Sequence, residues 1–408
     1  MERIVITGMG AITPIGNSIE EYWSNLMAGV SGIGAITHFD ASNSPIQIAA
    51  EIRNFDPTAY MPRKLAGEMD LFMQYAYAAA EQALSDSQLP IEPGRTGIVM
   101  GTALDGLTEI GLVQEALTAH GKRVGPRFLP KVLGNLAAAQ VAIAHQITGP
   151  TMTVNTACSS GADAIILGAM LLKTGEADSV LVLGGESGIN PLMIGSLSKA
   201  MALSRRNDDP VGASRPFDRD RDGFVMGEGG GAVVLELESH AKARGAKIYA
   251  ELAGYANTSD AYHVTAPNPT GEGAAQCMER AIAMSSLSKS EIGYINAHGT
   301  STHAGDIAET NAIKRVFGAP EQTPPVSSTK GATGHLMGAG GITEALTCIL
   351  AIQYGMLPPT LNLHTPDPEC DLDYVPNTPR PCAVKAAMSN AFGFGGQNSS
   401  LVLRAWHD

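Results

Sequence analysis

The chain has 408 residues, of which 44% are hydrophobic and 16% charged, so it can bury a large core and is not a disordered protein. Its formal net charge of −13 at pH 7 argues against binding to nucleic acid or to an anionic membrane, because both need a basic surface. There is no run of 18 apolar residues, and the five cysteines form no CxxC pair, so a reducing cytoplasm is favoured over a disulfide framework or a zinc site.

Predicted strands and helices alternate along the chain. Residues 1–8 read as a buried strand that runs into a glycine turn, and this apolar stretch is too short for a signal peptide. The other clear elements are strands at 97–100, 179–183 and 232–235 and helices at 70–84 and 162–172. This alternation predicts an α/β protein whose parallel sheets are covered by helices on both faces.

Two pairs of segments indicate that the halves of the chain are related. Segment 154–161 has a build similar to 388–396, and 97–101 pairs in the same way with 293–299. An internal duplication would divide the chain near residue 250, giving halves 1–250 and 251–408. Coincidence among glycine-rich turns is the alternative that these segments leave open.

Cys158 is the first candidate for chemistry. It lies where a predicted strand gives way to a turn of small residues, just before the apolar helix 162–172. The free N–H groups and the dipole at a helix N-terminus stabilise a thiolate, which favours a nucleophile here. A small buried structural cysteine is the alternative.

Two histidines lie in separate glycine-rich loops, each after a predicted strand. His298 lies in segment 296–302 and His335 in segment 330–341. Open α/β sheets place ligands at such strand ends. Two neutral imidazole N–H groups could hold a substrate carbonyl oxygen as negative charge develops on it. Either histidine taken alone could be structural.

Four motifs in this order resemble the elongating β-ketoacyl-acyl carrier protein synthases. They are 156–161, 298–302, 330–341 and 393–396, and the likeness extends over the whole chain, including 215–218 and 222–225. The resemblance implies a thiolase-like fold, with two similar halves in a five-layer αβαβα arrangement. It also implies a homodimer, or a heterodimer with a related subunit.

The activity that this resemblance implies is acyl transfer followed by decarboxylative Claisen condensation with a malonyl carrier protein. The pathway would be fatty-acid or type II polyketide biosynthesis. The substrates would be held on the phosphopantetheine arm of acyl carrier protein, with no other cofactor and no catalytic metal. No nucleic-acid or membrane partner is implied.

Carried over residue by residue, the resemblance makes Cys158 the nucleophile that takes the acyl chain. His298 and His335 would bind the malonyl thioester carbonyl and promote loss of carbon dioxide. The backbone N–H groups of Cys158 and Phe394 would form the oxyanion hole. Phe394 would also act as a gate on its glycine-rich loop.

Further positions are assigned by the same resemblance. Lys330 would order the site in a charged network with Asp306, Glu309 and Glu344. Contacts to the arm and the far end of the acyl pocket would come from Thr300, Thr302 and Leu104. A structural cation would lie among Asn296, Glu344, Ser389 and Asn390. A buried ion-pair network with only an architectural role is the alternative for the charged residues.

An acidic carrier needs a local basic patch on this acidic chain. The candidate docking residues are Arg63, Lys64, Lys122, Arg123, Arg205 and Arg206. Glu68 stands where relatives often carry a basic residue, so the patch is thinner than usual. Two further departures are His303 in place of a proline and Gln397 in place of a threonine. Chain length and the identity of the carrier therefore stay open.

Three alternative functions compete with condensation. A degradative thiolase working on coenzyme A would use a second cysteine near the C-terminus, where this chain reads 390–394 without one. A non-catalytic chain-length factor would lack the nucleophile, whereas Cys158 is present. A cysteine hydrolase would not need paired histidines together with Lys330.

Overall fold

The structure, a computed structural model, describes residues 2–407. Its strands are β1 (Ile4–Ile12), β2 (Ile33–Ala35), β3 (Ile48–Ala50), β4 (Thr96–Gly101), β5 (Thr151–Val154), β6 (Ser179–Glu186), β7 (Gly229–Leu237), β8 (Ala250–Ser259), β9 (Tyr294–Asn296), β10 (Val326–Ser327), β11 (Met356–Leu357), β12 (Arg380–Pro381), β13 (Ala386–Gly393) and β14 (Gln397–Arg404).

The α-helices are α1 (Ile19–Met27), α2 (Arg63–Ala66), α3 (Leu71–Ser87), α4 (Leu107–His120), α5 (Phe128–Val132), α6 (Leu136–His145), α7 (Ser160–Lys173), α8 (Pro191–Lys199), α9 (Glu238–Ala243), α10 (Glu272–Ser285), α11 (His303–Phe317), α12 (Lys330–Thr333) and α13 (Gly340–Tyr354). Short 3₁₀ turns lie at Pro57–Ala59, Ala157–Ser159, Lys289–Glu291, Pro320–Gln322 and Met337–Ala339. No helix within the described residues is long and apolar enough to cross a membrane.

Ten of the strands form one sheet in the order β10-β9-β13-β14-β8-β1-β7-β6-β4-β5. The two outer sets match: β5, β4 and β6 are parallel, as are β10, β9 and β13. In each half the next two strands, β7 and β1 or β14 and β8, are antiparallel. The halves meet where β1 pairs with β8. The sheet is therefore mixed, not wholly parallel as the alternation predicted.

The helices form three layers around the two halves of the sheet. Helix α3 packs on β1, β6 and β7 at one outer face, and α10 and α11 cover the C-terminal half at the other. Helices α7 and α13 pack against each other between the two halves, within a core that both halves line. The predicted five-layer αβαβα arrangement is confirmed.

Glycines in β1 explain one wrong prediction. The strand does not end at a glycine turn near residue 8 but continues to Ile12. A Cβ on Gly8 would lie 2.3 Å from the backbone oxygen of Ala83, and one on Gly10 would lie 2.0 Å from that of Ala79. These glycines therefore let α3 approach the strand closely.

The turn that holds Cys158 has a counterpart in the other half of the chain. In the sheet, β5 and β10 occupy matching positions. A 3₁₀ turn follows β5 and leads into the central helix α7, and a 3₁₀ turn that follows β10 and the short helix α12 leads into the central helix α13. Both turns start with a residue in the left-handed region, Ala157 at φ +52° and Met337 at φ +47°. The counterpart of 154–161 is thus the segment from β10 to α13, and its pairing with 388–396 was wrong. The division of the chain at residue 250 stays a prediction.

Candidate active site

Cys158 lies in the turn between β5 and α7, and its side chain is 5% exposed. Ala157, directly before it, has a positive φ that costs a non-glycine residue about 1–3 kcal/mol. Burial raises the pKa of the Cys158 thiol to about 11, although the Phe394 N–H and the charge of Lys330 act in the opposite direction. Burial thus acts against the thiolate stabilisation that the helix N-terminus predicts.

His335 is held in one tautomer by its own loop. The Met337 backbone N–H donates to Nδ1 of His335 at 3.3 Å, so in the neutral ring the proton is on Nε2. The His335 backbone N–H in turn donates to the Val225 oxygen at 2.8 Å. Burial, and then the charge of Lys330, hold the pKa of His335 well below its usual range. The ring is thus a neutral N–H donor.

His298 lies beside His335, with ring centroids 5.3 Å apart and ring planes at 83°. Burial, the charge of Lys330 and His335 together hold the pKa of His298 well below its usual range. The loop is fixed by Glu309, whose carboxylate accepts the N–H groups of His298 at 2.9 Å and Gly299 at 2.7 Å. Two neutral imidazoles therefore share one site, as the glycine-rich loops predicted.

Lys330 is buried and forms an ion pair with Glu344 of α13. Its charge also acts on Cys158, His298 and His335, so it is the common neighbour of the three groups. Burial is the larger cause of the neutral rings, and Lys330 adds to it, because a buried cation beside an imidazole disfavours the imidazolium.

The other two acids of the predicted network bind different groups. Asp306 accepts the backbone N–H of Phe217 at 2.8 Å and lies 3.3 Å from Arg221 Nε. Burial raises the pKa of Asp306 to about 6 and that of Glu309 to about 7, against the lowering effect of their N–H donors. Among the described contacts, only Glu344 meets Lys330 directly. Arg221, which the motifs did not single out, supplies the cation for Asp306.

Phe394 follows β13 at the start of the glycine loop, and 38% of it is exposed. Its backbone N–H lies close enough to the Cys158 sulfur to act on the pKa of that thiol, which it lowers. Gly395 and Gly396 both have positive φ, +88° and +70°, which favours glycine at these positions. The structure thus brings one predicted oxyanion-hole donor to the thiol.

Of the predicted substrate contacts, Thr300 and Thr302 follow His298 in the same loop. The hydroxyls of Thr300 and Thr302 are 3.0 Å apart, and Thr302 caps α11 by accepting the Gly305 N–H. Leu104 is half-buried, and a Cβ on Gly188 would lie 2.3 Å from its side chain. Leu104 packs on the apolar cluster that contains Cys158, in keeping with a pocket wall.

Sequence comparisons agree with this geometry. Residues 1–241 match the family described as Beta-ketoacyl synthase, N-terminal domain, and residues 249–364 match Beta-ketoacyl synthase, C-terminal domain. The chain belongs to the β-ketoacyl synthase family. The synthase is 46% identical to a 3-oxoacyl-[acyl-carrier-protein] synthase 2 of Synechocystis sp., covering 99% of this chain and 98% of that protein. It is therefore a condensing acyltransferase.

Solved structures of ketosynthases share the fold of the synthase. The ishigamide ketosynthase/chain length factor superposes with a TM-score of 0.93 at 33% identity, covering all of both chains. A ketosynthase in complex with a type II PKS acyl-carrier protein superposes with a TM-score of 0.91 at 33% identity, covering 99% of this chain and all of that one. The predicted thiolase-like fold and condensing activity are confirmed.

Of the four residues assigned to a structural cation, two already bind other groups of the protein. In the synthase, Oδ1 of Asn296 is buried without a hydrogen-bond partner among the described residues, and Ser389 is its neighbour across the β9–β13 pair. Oδ1 of Asn390 already accepts the Ser400 hydroxyl, and Glu344 is paired with Lys330. The orphaned oxygen fits a cation that would be held by Asn296 and Ser389, with a role in fixing strand ends, and this assignment stays a prediction.

The predicted docking residues lie in three surface segments. Arg63 and Lys64 are exposed on α2, Lys122 and Arg123 are exposed after α4, and Arg205 and Arg206 follow α8. Arg206 is only half-buried and donates to the Asp220 oxygen at 3.1 Å. Arg127 forms an ion pair with Glu68 at 2.9 Å, which joins the first segment to the second. Two further residues depart from the pattern of the resembling synthases. His303, in place of a proline, is the exposed first residue of α11, and Gln397, in place of a threonine, begins β14.

Sequence reasoning missed two buried carboxylates of the synthase. Glu186 at the end of β6 accepts the N–H groups of Ala103 at 2.8 Å, Gly338 at 3.0 Å and Leu104 at 3.1 Å. Burial raises the pKa of Glu186 to about 8 despite these donors. Gly338 occupies the position in the turn Met337–Ala339 that Cys158 occupies in the turn Ala157–Ser159, so Glu186 binds the backbone of this matching turn. The other is Asp163, in the first turn of α7. A lone acid in an apolar run is the signal that could have found both.

Proposed function

We propose that the synthase elongates acyl chains held on acyl carrier protein, in fatty-acid or type II polyketide biosynthesis. The observation that carries this proposal is a pair of neutral histidines beside a buried cation and a buried thiol. The carrier substrate is supported by the name of the Synechocystis relative and by the carrier protein bound to the similar ketosynthase.

The first step transfers the acyl group to Cys158. Its sulfur attacks the thioester carbonyl, and the carbonyl oxygen becomes an oxyanion that the backbone N–H of Phe394 can stabilise. The carbon–sulfur bond to the carrier then breaks, and the proton lost from Cys158 ends on the departing thiol. Because burial disfavours the free thiolate, bond formation and proton loss must be coupled.

The second step uses the two histidines. The N–H groups of His298 and His335 hold the malonyl thioester oxygen while the carboxylate leaves as carbon dioxide. The resulting enolate carbon attacks the acyl carbonyl on Cys158, and the Cys158 sulfur leaves and takes up one proton. The product is a β-ketoacyl carrier two carbons longer. Burial, together with the charge of Lys330, keeps both rings neutral, so they act as hydrogen-bond donors without the charge of an imidazolium.

Two rival activities fit the same residues less well. A thiolase needs a second thiol as a base near the C-terminus, and the loop 390–394 contains no cysteine. A non-catalytic chain-length factor needs no nucleophile, and Cys158 is held here in a strained turn next to an N–H donor. Condensation is therefore the better supported function.

The function is tested by mass spectrometry of carrier-bound products. The synthase is incubated with malonyl carrier protein and a mixture of acyl carriers from two to sixteen carbons, chosen to span the natural range. We expect β-ketoacyl carriers two carbons longer than the accepted primers and one carbon dioxide per product. Acyl-coenzyme A products without use of malonyl carrier would instead support the thiolase.

Carrier docking is proposed to be electrostatic in spite of the −13 net charge. Exposed Lys122 and Arg123 lie in the segment after α4, and Arg127 of that segment pairs with Glu68 just after α2, which brings the two basic segments side by side. Reversing both charges should raise the apparent KM for the carrier with little change in kcat, because a local patch steers an acidic partner. Lys289 and Lys385, reversed together, serve as a control away from this surface. A KM that is indifferent to charge reversal and to salt would place docking elsewhere.

We also infer a homodimer formed through the edge strand β5. In the described chain, α4 has no buried residue, and Leu112, Ile143 and Met152 are exposed apolar side chains on or near this edge. An open strand edge flanked by apolar surface favours pairing with a second copy. A related subunit is the alternative, as in the similar ketosynthase/chain length factor. Sedimentation equilibrium of the purified chain distinguishes a dimer from a monomer that awaits its partner.

The remaining assignments follow from the same site. Phe394 is proposed as the gate of the acyl pocket, because its exposed ring lies on a loop with two glycines of positive φ.

No further cofactor is proposed, because the thiol, the imidazoles and the N–H groups supply the chemistry of both steps. A cytoplasmic location is proposed because all five cysteines are free thiols.

A further inference from the structure

Asp163 is a buried carboxylate whose two oxygens bind two different parts of the molecule. Oδ2 accepts the hydroxyl of Thr156 at 2.5 Å and lies 3.2 Å from the hydroxyl of Ser159, which is shared with the Thr156 backbone oxygen at 2.9 Å. Oδ1 accepts the amide of Asn257 at 2.8 Å and the hydroxyl of Ser399 at 2.7 Å. Four polar side chains therefore surround the Asp163 carboxylate, and none of them binds another acid among the described residues.

The first pair of donors brackets the nucleophile. Thr156 precedes Ala157 and Cys158, and Ser159 follows them. Ala157 has φ +52°, a conformation that persists only where the surroundings determine it. By binding the residues on both sides, one carboxylate oxygen fixes the strained turn and the direction of the thiol.

The second pair of donors belongs to the strands that carry the glycine loop. Ser399 lies on β14, which begins directly after that loop, and its partner across the pair with β8 is Asn257. The end of β13 also lies against the turn, since a Cβ on Gly393 would be 2.5 Å from the Thr156 oxygen. Asp163 therefore links the turn of Cys158 to the hairpin that presents the Phe394 N–H.

We propose that Asp163 is a positioning residue for acyl transfer, which holds the Cys158 sulfur and the Phe394 N–H in register across the two halves of the chain. This inference rests on the proposed function, because the relative position of the Cys158 sulfur and the Phe394 N–H matters only if an oxyanion forms between them. The paired histidines belong to other loops, so malonyl decarboxylation depends less on Asp163 than acylation of Cys158 does.

The test compares two rates in Asp163→Asn and Asp163→Ala. One is the single-turnover rate of Cys158 acylation at saturating acyl carrier, and the other is the rate of malonyl-carrier decarboxylation. We expect the ratio of acylation to decarboxylation to fall at least tenfold in Asp163→Ala and less in Asp163→Asn, which keeps an acceptor oxygen. Ser399→Ala should lower the ratio by a smaller factor, because it cuts only the link to the hairpin.

Glu236→Gln is the matched control, since Glu236 is a buried carboxylate that binds Thr7 and Arg244 on the other side of the sheet. It should lower the melting temperature without changing the ratio. If Asp163 variants do not fold, Thr156→Val and Ser399→Ala carry the test. An unchanged ratio in folded variants, or an equal loss of both rates, would overturn the role of Asp163. Failure of the unmodified synthase to become acylated would overturn the proposed function instead.

Discussion

Replacement of Cys158 by alanine is expected to abolish acylation of the protein and all condensation. The unmodified synthase, incubated with an acyl carrier thioester, should gain one acyl mass, and Cys158→Ala should gain none. The physical reason is that the sulfur is the only group at this turn able to form the thioester, and the N–H of Phe394 already lies against it. Intact-protein mass spectrometry measures the adduct.

The fold should survive this change, since Cys158 is small and its removal opens only a small cavity. Cys277→Ala is a matched control, because Cys277 is also buried and its thiol donates only to backbone oxygens of the sheet. That variant should be acylated at the normal rate. An adduct that persists in Cys158→Ala would show that another residue takes the acyl group.

Loss of either histidine is the second large effect expected. His298→Ala and His335→Ala should each lower the rate of condensation ~10²–10³-fold, the usual result of removing a donor to a developing oxyanion. Acylation of Cys158 should change much less, because its oxyanion binds backbone N–H groups. The two partial reactions are separated by single-turnover assays with acyl carrier alone and with acyl carrier plus malonyl carrier.

The pH dependence gives an independent check on the histidines. The pKa values of both histidines are held well below the usual range for histidine. Both rings are therefore neutral at neutral and mildly acidic pH, and they become charged only at a lower pH. Condensation should therefore show no loss between pH 8 and pH 6 that is due to these rings. His303→Ala is the control for the histidine substitutions, since His303 is exposed at the start of α11 and should be dispensable for condensation.

Normal condensation in His298→Ala or His335→Ala would show that the replaced histidine has only a structural role.

Much of the fold could be predicted from local pattern. Strands such as β4 and β6 and helices such as α3 and α7 follow from apolar periodicity, which depends only on near neighbours in the chain. The glycines of β1 were misread because a glycine that admits a packed helix looks the same in sequence as one that makes a turn. The mixed sheet and the true counterpart of the Cys158 turn required the strand order itself.

The site shows the same division between local and distant information. The motifs located the thiol, the histidines and Lys330, because each lies in a distinctive loop. The tautomer of His335 depends on a contact with Met337 that no spacing reveals. Asp163 was missed because its partners Asn257 and Ser399 are 94 and 236 residues away in sequence. Arg221 escaped notice among several charged neighbours.

The burial of Cys158 also bears on how the protein withstands oxidants. Peroxides and disulfides react with the thiolate, not with the thiol. Because burial raises the pKa of the Cys158 thiol, the protonated form of the resting sulfur is favoured at neutral pH. We therefore expect the resting sulfur to react slowly with peroxides, because both its burial and its protonated form oppose oxidation.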